Sequence, residues 1–222
     1  MTALASVTVR PLGPSDDAAV IDIFGATMLL GRRTEAPLAL FDRYADLCLG
    51  WYLGPGRADA AVASIDGEIV GYALVCADSV GQAKWVRRHT PSLMTTVGGR
   101  LVSGRLDRFS RSFYSGRARD ARTLWKSGSA PPFPVHAHLN VLPHGRTGTV
   151  ALHLRDHIDE RARCSGSPGW WAEMNAIDGR RERALERLGL HVMSRQRSET
   201  MSSLLEREVV RLTLHRPLTL PG

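Results

Sequence analysis

Two histidines and an asparagine alternate along one short segment of the chain, at His136, His138 and Asn140. A period of two puts their side chains on one face of a β-strand. An imidazole can accept a proton near neutral pH, so this face could supply a general base, with His138 as the first candidate and His136 as the second. The alternative is that the three polar side chains line a wet cleft or hydrogen-bond to their neighbours.

The loop that follows this strand has the composition of an anion site. The strand ends at Pro143, and a helix is expected from about Gly148 to Ala162. The free amides and the dipole at the start of a helix bind phosphate oxygens, and Arg146 would add a bidentate cation. The alternative is an ordinary strand, turn and helix with a solvated arginine.

The segments around this site predict how the chain positions it. Asp66-Gly67 separates two β-type runs, and an Asp-Gly pair between such runs specifies a two-residue hairpin. Residues 79–130 are expected to be mostly helical and divided into two helices by Pro91. The other expected elements are strands at 6–12, 60–65, 68–76, 135–142, 169–176, 191–201 and 208–215, and helices at 17–30, 36–53 and 178–188.

The order of these elements predicts an α/β domain of the α+β type. The β-α-β unit from Val135 to Ala176 gives one parallel strand pair with a right-handed crossover, and the hairpins make the rest of the mixed sheet antiparallel. Helices flank this sheet, and a helical insertion precedes the strand at 135–142. A binding site is expected where the two parallel strands splay and a helix N-terminus faces the gap.

These residues resemble the GNAT superfamily of N-acetyltransferases. The signature strand ends in Leu142-Pro143 and leads to a loop in which Arg146 and Ala151 take the first and last positions of the family's pyrophosphate motif. The segment Leu188-Gly189-Leu190 resembles the family's Leu-Gly-Phe helix end. The resemblance extends over most of the chain and is greatest to bacterial members such as the acetyltransferase-like domain linked to O-GlcNAcases, which also carry a long helical stretch before the signature strand.

The resemblance implies a GNAT fold, acetyl-CoA (coenzyme A) as cofactor, and acetyl transfer to an amine by direct attack in a ternary complex. It implies that the backbone of Val141 and Leu142 pairs with the pantetheine arm as an added strand, while loop amides hold the pyrophosphate. The residues implied in cofactor binding are Val141, Leu142, Arg146, Thr147, Gly148, Thr149, Val150, Ala151, Asn175 and Asp178.

Three positions depart from the family pattern. Thr149 stands where a glycine is usual, and Asp178 replaces a helix-opening asparagine. Leu185 stands where many members have a tyrosine that can protonate the leaving thiolate. Two hypotheses therefore stay open: an enzyme in which another group supplies the proton or the thiolate leaves unassisted, and a catalytically lapsed GNAT-fold protein that binds acyl-CoA.

Amine acylation also needs a group that accepts the proton lost by the amine. His138 and His136 are the first candidates, and Glu173 on the neighbouring strand is the alternative. No metal site is expected, because His153 and His157 have zinc-compatible spacing on a helix but lack a third ligand.

The positive charge is concentrated in one segment. Residues 79–135 carry a net charge of +9, whereas the rest of the chain carries −2. Such a segment attracts anions, so it predicts an anionic acceptor, an acidic protein or a carrier protein as partner, and it disfavours polyamines. Arg105, Arg108 and Arg111 fall near one helical stripe, and the alternatives are a solvated face or, because aromatic residues interleave with the charges, a homodimer contact.

Composition limits the other classes. The pI near 10 favours nucleic-acid binding, but no nucleic-acid-binding signature supports it, so this function is the least favoured. No apolar run has the length of a membrane span, and the N-terminus has no secretory h-region. Three separated cysteines suit a reducing compartment. We expect a cytoplasmic protein with a single GNAT domain over 1–222, in which 79–134 form the basic insertion.

Overall fold

The computed structural model describes residues 6–32, 37–127, 132–146, 148–177 and 182–219. Within these ranges the strands are β1 Val7–Pro11, β2 Ala61–Ile65, β3 Glu68–Cys76, β4 Val135–Val141, β5 Gly169–Ile177, β6 His191–Arg197 and β7 Val209–Pro217. The helices are α1 Asp17–Thr27, α2 Phe41–Leu53, α3 Ser79–Val102, α4 Arg108–Ser127, α5 Gly148–Cys164, α6 Glu182–Arg187 and α7 Glu199–Leu205.

The seven strands form one mixed sheet in the order β1-β2-β3-β4-β5-β7-β6. Among the described strands, β4 and β5 pair in parallel and every other neighbouring pair is antiparallel. An apolar cluster that includes α5 covers one face, and a second cluster that includes α1 and α2 covers the other. The predicted fold class is confirmed.

The hairpin between β2 and β3 forms as the Asp-Gly pair predicts. Asp66 and Gly67 both have positive φ, at 50° and 89°. Glycine takes this conformation without a steric penalty, and aspartate tolerates it better than most residues. The hairpin holds β3 in register beside β4, the strand that carries the alternating histidines.

The insertion is two helices, as predicted, but the break lies elsewhere. Helix α3 continues through Pro91, and the chain turns at 103–107 instead. Pro91 is exposed, so water can reach the carbonyl that it leaves unpaired, and the buried Leu93 and Val97 anchor the helix beyond it. Of the helices that the structure describes, none is both long and apolar enough to cross a membrane.

A short helix replaces the end of one predicted strand. The strand expected at 191–201 ends at Arg197, and α7 begins beyond it. The Ser198 hydroxyl caps this helix by accepting from the Met201 amide at 3.3 Å. Met201 and Leu205 are buried one turn apart, so the segment follows a helical period rather than a strand period.

A buried aspartate fastens the insertion to this short helix. Asp120 of α4 accepts hydrogen bonds from the Thr200 hydroxyl at 2.7 Å and the Glu199 amide at 2.8 Å. Its carboxylate also lies 3.5 Å from the Arg211 guanidinium, which is itself buried. Beside it, Gly116 packs so closely that an added Cβ would lie 2.7 Å from the Thr200 Cα atom. The network fixes α4 over the sheet.

A second buried aspartate ties α5 to the far half of the sheet. Asp159 accepts from the Trp170 indole of β5 at 2.7 Å. It also accepts from the Arg216 guanidinium of β7 at 2.8 to 2.9 Å. The network therefore fixes the second half of α5 against β5 and β7.

We expect Asp120→Ala to lower the free energy of unfolding by about 3 kcal/mol, because it leaves the buried Arg211 and two α7 donors without their acceptor. Chemical denaturation monitored by circular dichroism measures this loss. Glu208→Ala, at an exposed position, is the control and should stay within about 0.5 kcal/mol of wild type. Equal stabilities for the two variants would contradict the anchoring role.

Candidate active site

The parallel strands β4 and β5 separate soon after they begin. Their pairing covers Val135 with Trp170 and His136 with Trp171, and β4 then continues to Val141 with no described pairing to β5. Each strand keeps its antiparallel neighbour on the other side. A wedge therefore opens between the two strands, as predicted for a parallel pair that splays.

The wedge side of β4 presents free backbone groups. The Leu142 amide donates to the Val70 carbonyl of β3 at 2.8 Å. Successive residues of a strand point their backbone groups to opposite sides, so the N–H and C=O groups of Leu139 and Val141, which lie beyond the paired residues, point into the wedge. An extended ligand could add to this edge as a further strand.

This geometry separates the two residues that were predicted together as the pairing segment. Leu142 uses its amide within the sheet, whereas Val141 faces the wedge. The Val141 carbonyl accepts from Arg146 Nε at 3.2 Å. This contact holds the Arg146 side chain beside the end of the wedge.

The loop after β4 is a tight turn that leads into α5. At the buried Gly145 an added Cβ would lie 2.7 Å from the Val70 Cβ atom, so only glycine fits this close approach. The side chain of Arg146 is exposed, and one of its guanidinium nitrogens lies 3.8 Å from where a Cβ at Gly31 would sit. The loop thus lies next to the chain segment that follows α1.

The first turn of α5 divides the predicted phosphate-binding residues into exposed and buried positions. Gly148 and Thr149 are exposed, Ala151 is half-buried, and Val150 is fully buried in the core. No other residue lies within 4 Å of a Cβ built at Gly148, so the space before the helix is open. Thr147 lies outside the described residues.

The alternating polar residues share one face of β4, as their spacing predicts. They lie opposite Cys76, Leu74 and Tyr72 of β3, all three of which belong to the apolar cluster beneath α1 and α2. This face is therefore the one that α2 covers.

A tyrosine of α2 reaches down to the first histidine. The Tyr52 hydroxyl lies 2.6 Å from His136 Nε2, and the Tyr52 side chain is fully buried. Burial raises the pKa of Tyr52 well above its usual value. Burial, and then the neighbouring His138, lower the pKa of His136 to about 3. Both groups are neutral at neutral pH, so the phenol can donate to Nε2 and occupy the lone pair of His136.

The second histidine keeps its ring nitrogens available. The His138 ring meets the Tyr52 and His136 rings edge to face, at centroid distances of 5.5 and 5.6 Å. No described residue hydrogen-bonds to its ring, which is exposed to solvent. Desolvation by the surrounding protein lowers the pKa of His138. His138 is therefore a neutral imidazole that a ligand can approach.

Strand β5 forms the other wall of the wedge. Trp171 pairs with His136 and its ring lies 5.3 Å from the imidazole, so Trp171, Glu173 and Asn175 share the face of the histidines. Glu173 is exposed. The Asn175 Oδ1 atom is buried and has no hydrogen-bond partner among the described residues, which makes it an unused acceptor. Asp178 lies outside the described residues.

Sequence reasoning missed the tyrosines on this face. The helix expected at 36–53 was predicted without a role for Tyr52, which is fully buried. Tyr72 of β3 accepts a hydrogen bond from Asn140 Nδ2 at 2.6 Å. The spacing of Tyr44, Cys48 and Tyr52, four residues apart, is the signal that could have revealed this stripe.

The positions that depart from the GNAT pattern also have clear surroundings. Leu185 is buried in the core on the α5 side of the sheet, so it supplies no polar group.

The histidines with zinc-compatible spacing on α5 have other surroundings. The His157 ring nitrogen Nε2 lies 3.0 Å from the Asp59 carbonyl oxygen. Within the described residues no group of three or more histidine, cysteine or acidic side chains could hold a metal ion.

The sheet order, the single parallel junction and the helices on each face are those of the GNAT N-acetyltransferase fold. The chain is similar to the yncA protein from Salmonella typhimurium, solved with its cofactor acetyl-CoA (TM-score 0.54, 15% identity, 97% of this chain and 96% of that chain). It is also similar to the ribosomal-protein-alanine N-acetyltransferase from Brucella melitensis (TM-score 0.53, 16% identity, 95% of this chain and 99% of that chain).

A third similar structure is the GNAT superfamily phosphinothricin acetyltransferase from Sinorhizobium meliloti in complex with acetyl-CoA (TM-score 0.52, 16% identity, 97% of this chain and 93% of that chain). At these identities the likeness establishes the fold. No protein-family model and no curated protein matches the sequence.

Acidification should destabilise the protein through His136. Because its pKa is about 3 in the folded chain and about 6.5 in the unfolded chain, the unfolded state binds more protons between these values. Stability is therefore constant above pH 6.5 and falls as the pH drops toward 3, by about 2 kcal/mol at pH 5 from this residue. Denaturation at pH 7.5 and pH 5 measures the loss.

The variant His136→Asn should lose less stability between these two pH values than wild type. His153→Asn, at an exposed position on α5, is the matched control and should lose as much as wild type. An equal loss of stability in His136→Asn and wild type between pH 7.5 and pH 5 would contradict the role given to His136.

Proposed function

We propose that this protein is an acyl-CoA-dependent N-acetyltransferase that transfers an acetyl group from acetyl-CoA to an amine. The observation that carries the proposal is the wedge between β4 and β5, whose free backbone edge leads directly to the N-terminus of α5. Solved structures of the same fold that hold acetyl-CoA support it.

The free edge of β4 suits the pantetheine arm of the cofactor. That arm contains amide groups, and Leu139 offers a backbone donor and acceptor, and Val141 a backbone donor, facing the wedge. When bound, acetyl-CoA supplies a thioester carbonyl activated for attack by an amine. Asn175, with its unused buried acceptor, is placed on the opposite wall.

The start of α5 suits the pyrophosphate. The exposed amides near Gly148 and Thr149 and the positive end of the helix dipole attract phosphate oxygens, and Arg146 adds a charge beside them. Val150 and Ala151 contribute through their backbone, since the Val150 side chain is buried in the core. Thr147 and Asp178 are included on the strength of the family resemblance.

His138 is the proposed general base. Its ring is neutral, exposed and free of hydrogen bonds to the described residues, so it can take the proton that an attacking amine loses, directly or through a water. His136 is less suited because Tyr52 occupies its Nε2 atom. Glu173 is the alternative base on the facing strand.

A catalytically lapsed protein that binds acyl-CoA is the second candidate function. The observation that favours it is Leu185, which is packed in the core where many GNAT enzymes have a proton-donating tyrosine. In that case the wedge and the α5 terminus would bind acyl-CoA without turnover.

The wider setting is part of the same proposal. We assign a single GNAT domain over 1–222, with 79–134 as an insertion that faces an anionic acceptor or acidic partner. The free thiols of Cys48, Cys76 and Cys164 suit the cytoplasm. The long helical stretch before β4 is the basis for the resemblance to bacterial members and to the domain linked to O-GlcNAcases. A homodimer formed through that stretch stays a prediction.

Titration calorimetry with acetyl-CoA, coenzyme A and dephospho-CoA tests cofactor binding. We expect saturable binding of acetyl-CoA and a loss of about tenfold in affinity for Arg146→Ala, because one charge-assisted contact to phosphate is removed. Arg163→Ala, at an exposed position near the other end of α5, is the control and should bind as wild type does. Absence of binding at millimolar acetyl-CoA would contradict both candidate functions, the N-acetyltransferase and the lapsed acyl-CoA-binding protein.

Turnover with saturating amine separates the two candidates. We expect His138→Gln to lower kcat by about 100-fold or more while acetyl-CoA affinity is kept, since the imidazole acts on the amine rather than on the cofactor. Measurement of thiol release by wild type, His138→Gln and Glu173→Gln assigns the base. A wild-type protein that binds acetyl-CoA yet acetylates no amine would support the lapsed protein.

A further inference from the structure

One arginine of the basic insertion differs from all the others that the structure describes. Between residues 79 and 135 the described basic side chains are exposed, except for Arg117, which is half-buried. The stripe of Arg105, Arg108 and Arg111 that the sequence suggested faces solvent. The insertion therefore directs one positive charge toward the interior.

Arg117 lies on the inward side of α4, where the neighbouring positions are fixed. Phe113 is fully buried one turn earlier and meets the Tyr44 ring edge to face at 5.1 Å. Asp120, one turn later, is held by α7 and Arg211. Since both flanking turns are anchored, the helix holds Arg117 in place.

Arg117 lies between two contacts that border α2 and β5. Phe113 contacts Tyr44 of α2, and Asp120 lies 3.5 Å from Arg211, which pairs with Asn175 of β5. Tyr44 first, and more weakly Glu173 on the histidine face of β5, raise the pKa of Arg117 electrostatically. Tyr44, which contacts Phe113 of α4, and Tyr52, whose hydroxyl contacts His136, lie two helical turns apart on the same side of α2. The inward side of α4 and the histidine cluster therefore meet the same side of α2.

No described group pairs directly with this charge. Arg117 takes part in no hydrogen bond or ion pair with the residues that the structure describes, although the carboxylates of Asp120 and Glu173 act on it electrostatically. Asp120 already accepts from the Thr200 hydroxyl and the Glu199 amide. Burial raises the pKa of Cys48 and of Tyr44, so neither supplies a negative charge. A half-buried guanidinium with free donors beside a cleft is a site for an oxyanion.

We propose that Arg117 binds the carboxylate of the acyl acceptor, so that the acceptor is a small primary amine that carries a carboxylate. The inference rests on the proposed function, because it places the acceptor between Arg117 and His138. Glu173, on the same face, lies within reach of the ammonium form of such an amine. A carboxylate on Arg117 and an amine directed to His138 would orient the acceptor across the wedge.

Matched pairs of amines test this specificity. Phenylalanine with phenethylamine, and methionine with 3-(methylthio)propylamine, differ by the carboxylate, and an aminophosphonate of similar size separates carboxylate from other oxyanions. With saturating acetyl-CoA, wild type should have the higher kcat/KM for the carboxylated member of each pair. We expect Arg117→Gln to lower that value by about 10- to 100-fold and to change the decarboxylated member by less than about twofold.

Two further variants control the experiment. Arg117→Lys should recover part of the preference, because it keeps the charge but loses bidentate geometry. Arg119→Gln removes an exposed charge from the same helix and should behave as wild type. Acetyl-CoA affinity, measured by calorimetry, should be the same in all four proteins.

The outcomes distinguish this inference from the proposed function. Failure of wild type to bind acetyl-CoA overturns the proposed function and this inference with it. If acetyl-CoA binds, three outcomes overturn the carboxylate assignment alone. They are an equal loss of kcat/KM for both members of a pair in Arg117→Gln, a wild-type preference for the decarboxylated amines, and a higher wild-type kcat/KM for the aminophosphonate than for the carboxylated amine. If no amine is acetylated, calorimetry of the same amines with the coenzyme A complex decides: binding lost in Arg117→Gln supports the inference, and no binding to wild type contradicts it.

Discussion

The separation of two parallel strands is the constraint on which the rest of this structure depends. β4 and β5 share two register pairs and then diverge, which leaves the wedge side of Leu139 and Val141 with no strand partner among the described residues. Unpaired backbone groups in a protein interior are costly unless water or a ligand meets them. The wedge is therefore both a defect in the sheet and the feature that makes a binding site for a strand-like ligand.

Two buried carboxylates hold the elements around that wedge. Asp159 joins the second half of α5 to β5 and β7 through Trp170 and Arg216. Asp120 joins α4 to α7 and Arg211, so the insertion stays over the histidine face. Each carboxylate has several donors around it, which is the condition under which a buried charge stabilises a fold. Separate networks thus fix α5 on one face of the sheet and α4 on the other.

Local patterns predicted most of the fold because the contacts involved are short in sequence. The Asp66-Gly67 hairpin, the β-α-β unit and the alternation of His136 with His138 all follow from spacing. The prediction about Pro91 was wrong because packing of α3 outweighed the local preference of proline. The strand expected through 198–201 was wrong because the Ser198 cap and its helical period went unrecognised.

The electrostatics of the site could not be predicted in the same way. The bond from Tyr52 to His136 joins residues 84 positions apart, and it distinguishes the two histidines, which the sequence ranked by position alone. Likewise, eleven basic residues in 79–135 look alike in the sequence, whereas the orientation of α4 buries part of Arg117 and exposes Arg119. Tertiary contacts, which depend on how α2 and α4 cross the sheet, decide these roles.

Hydrogen exchange of the wild-type protein with and without acetyl-CoA tests the central claim most directly. If the cofactor arm pairs with the free edge of β4, the amides of Leu139 and Val141 and those at the start of α5 should gain protection, while the hairpin 61–76 should not change. Protection confined to other segments, or none at saturating acetyl-CoA, would contradict the account of the wedge as the cofactor site.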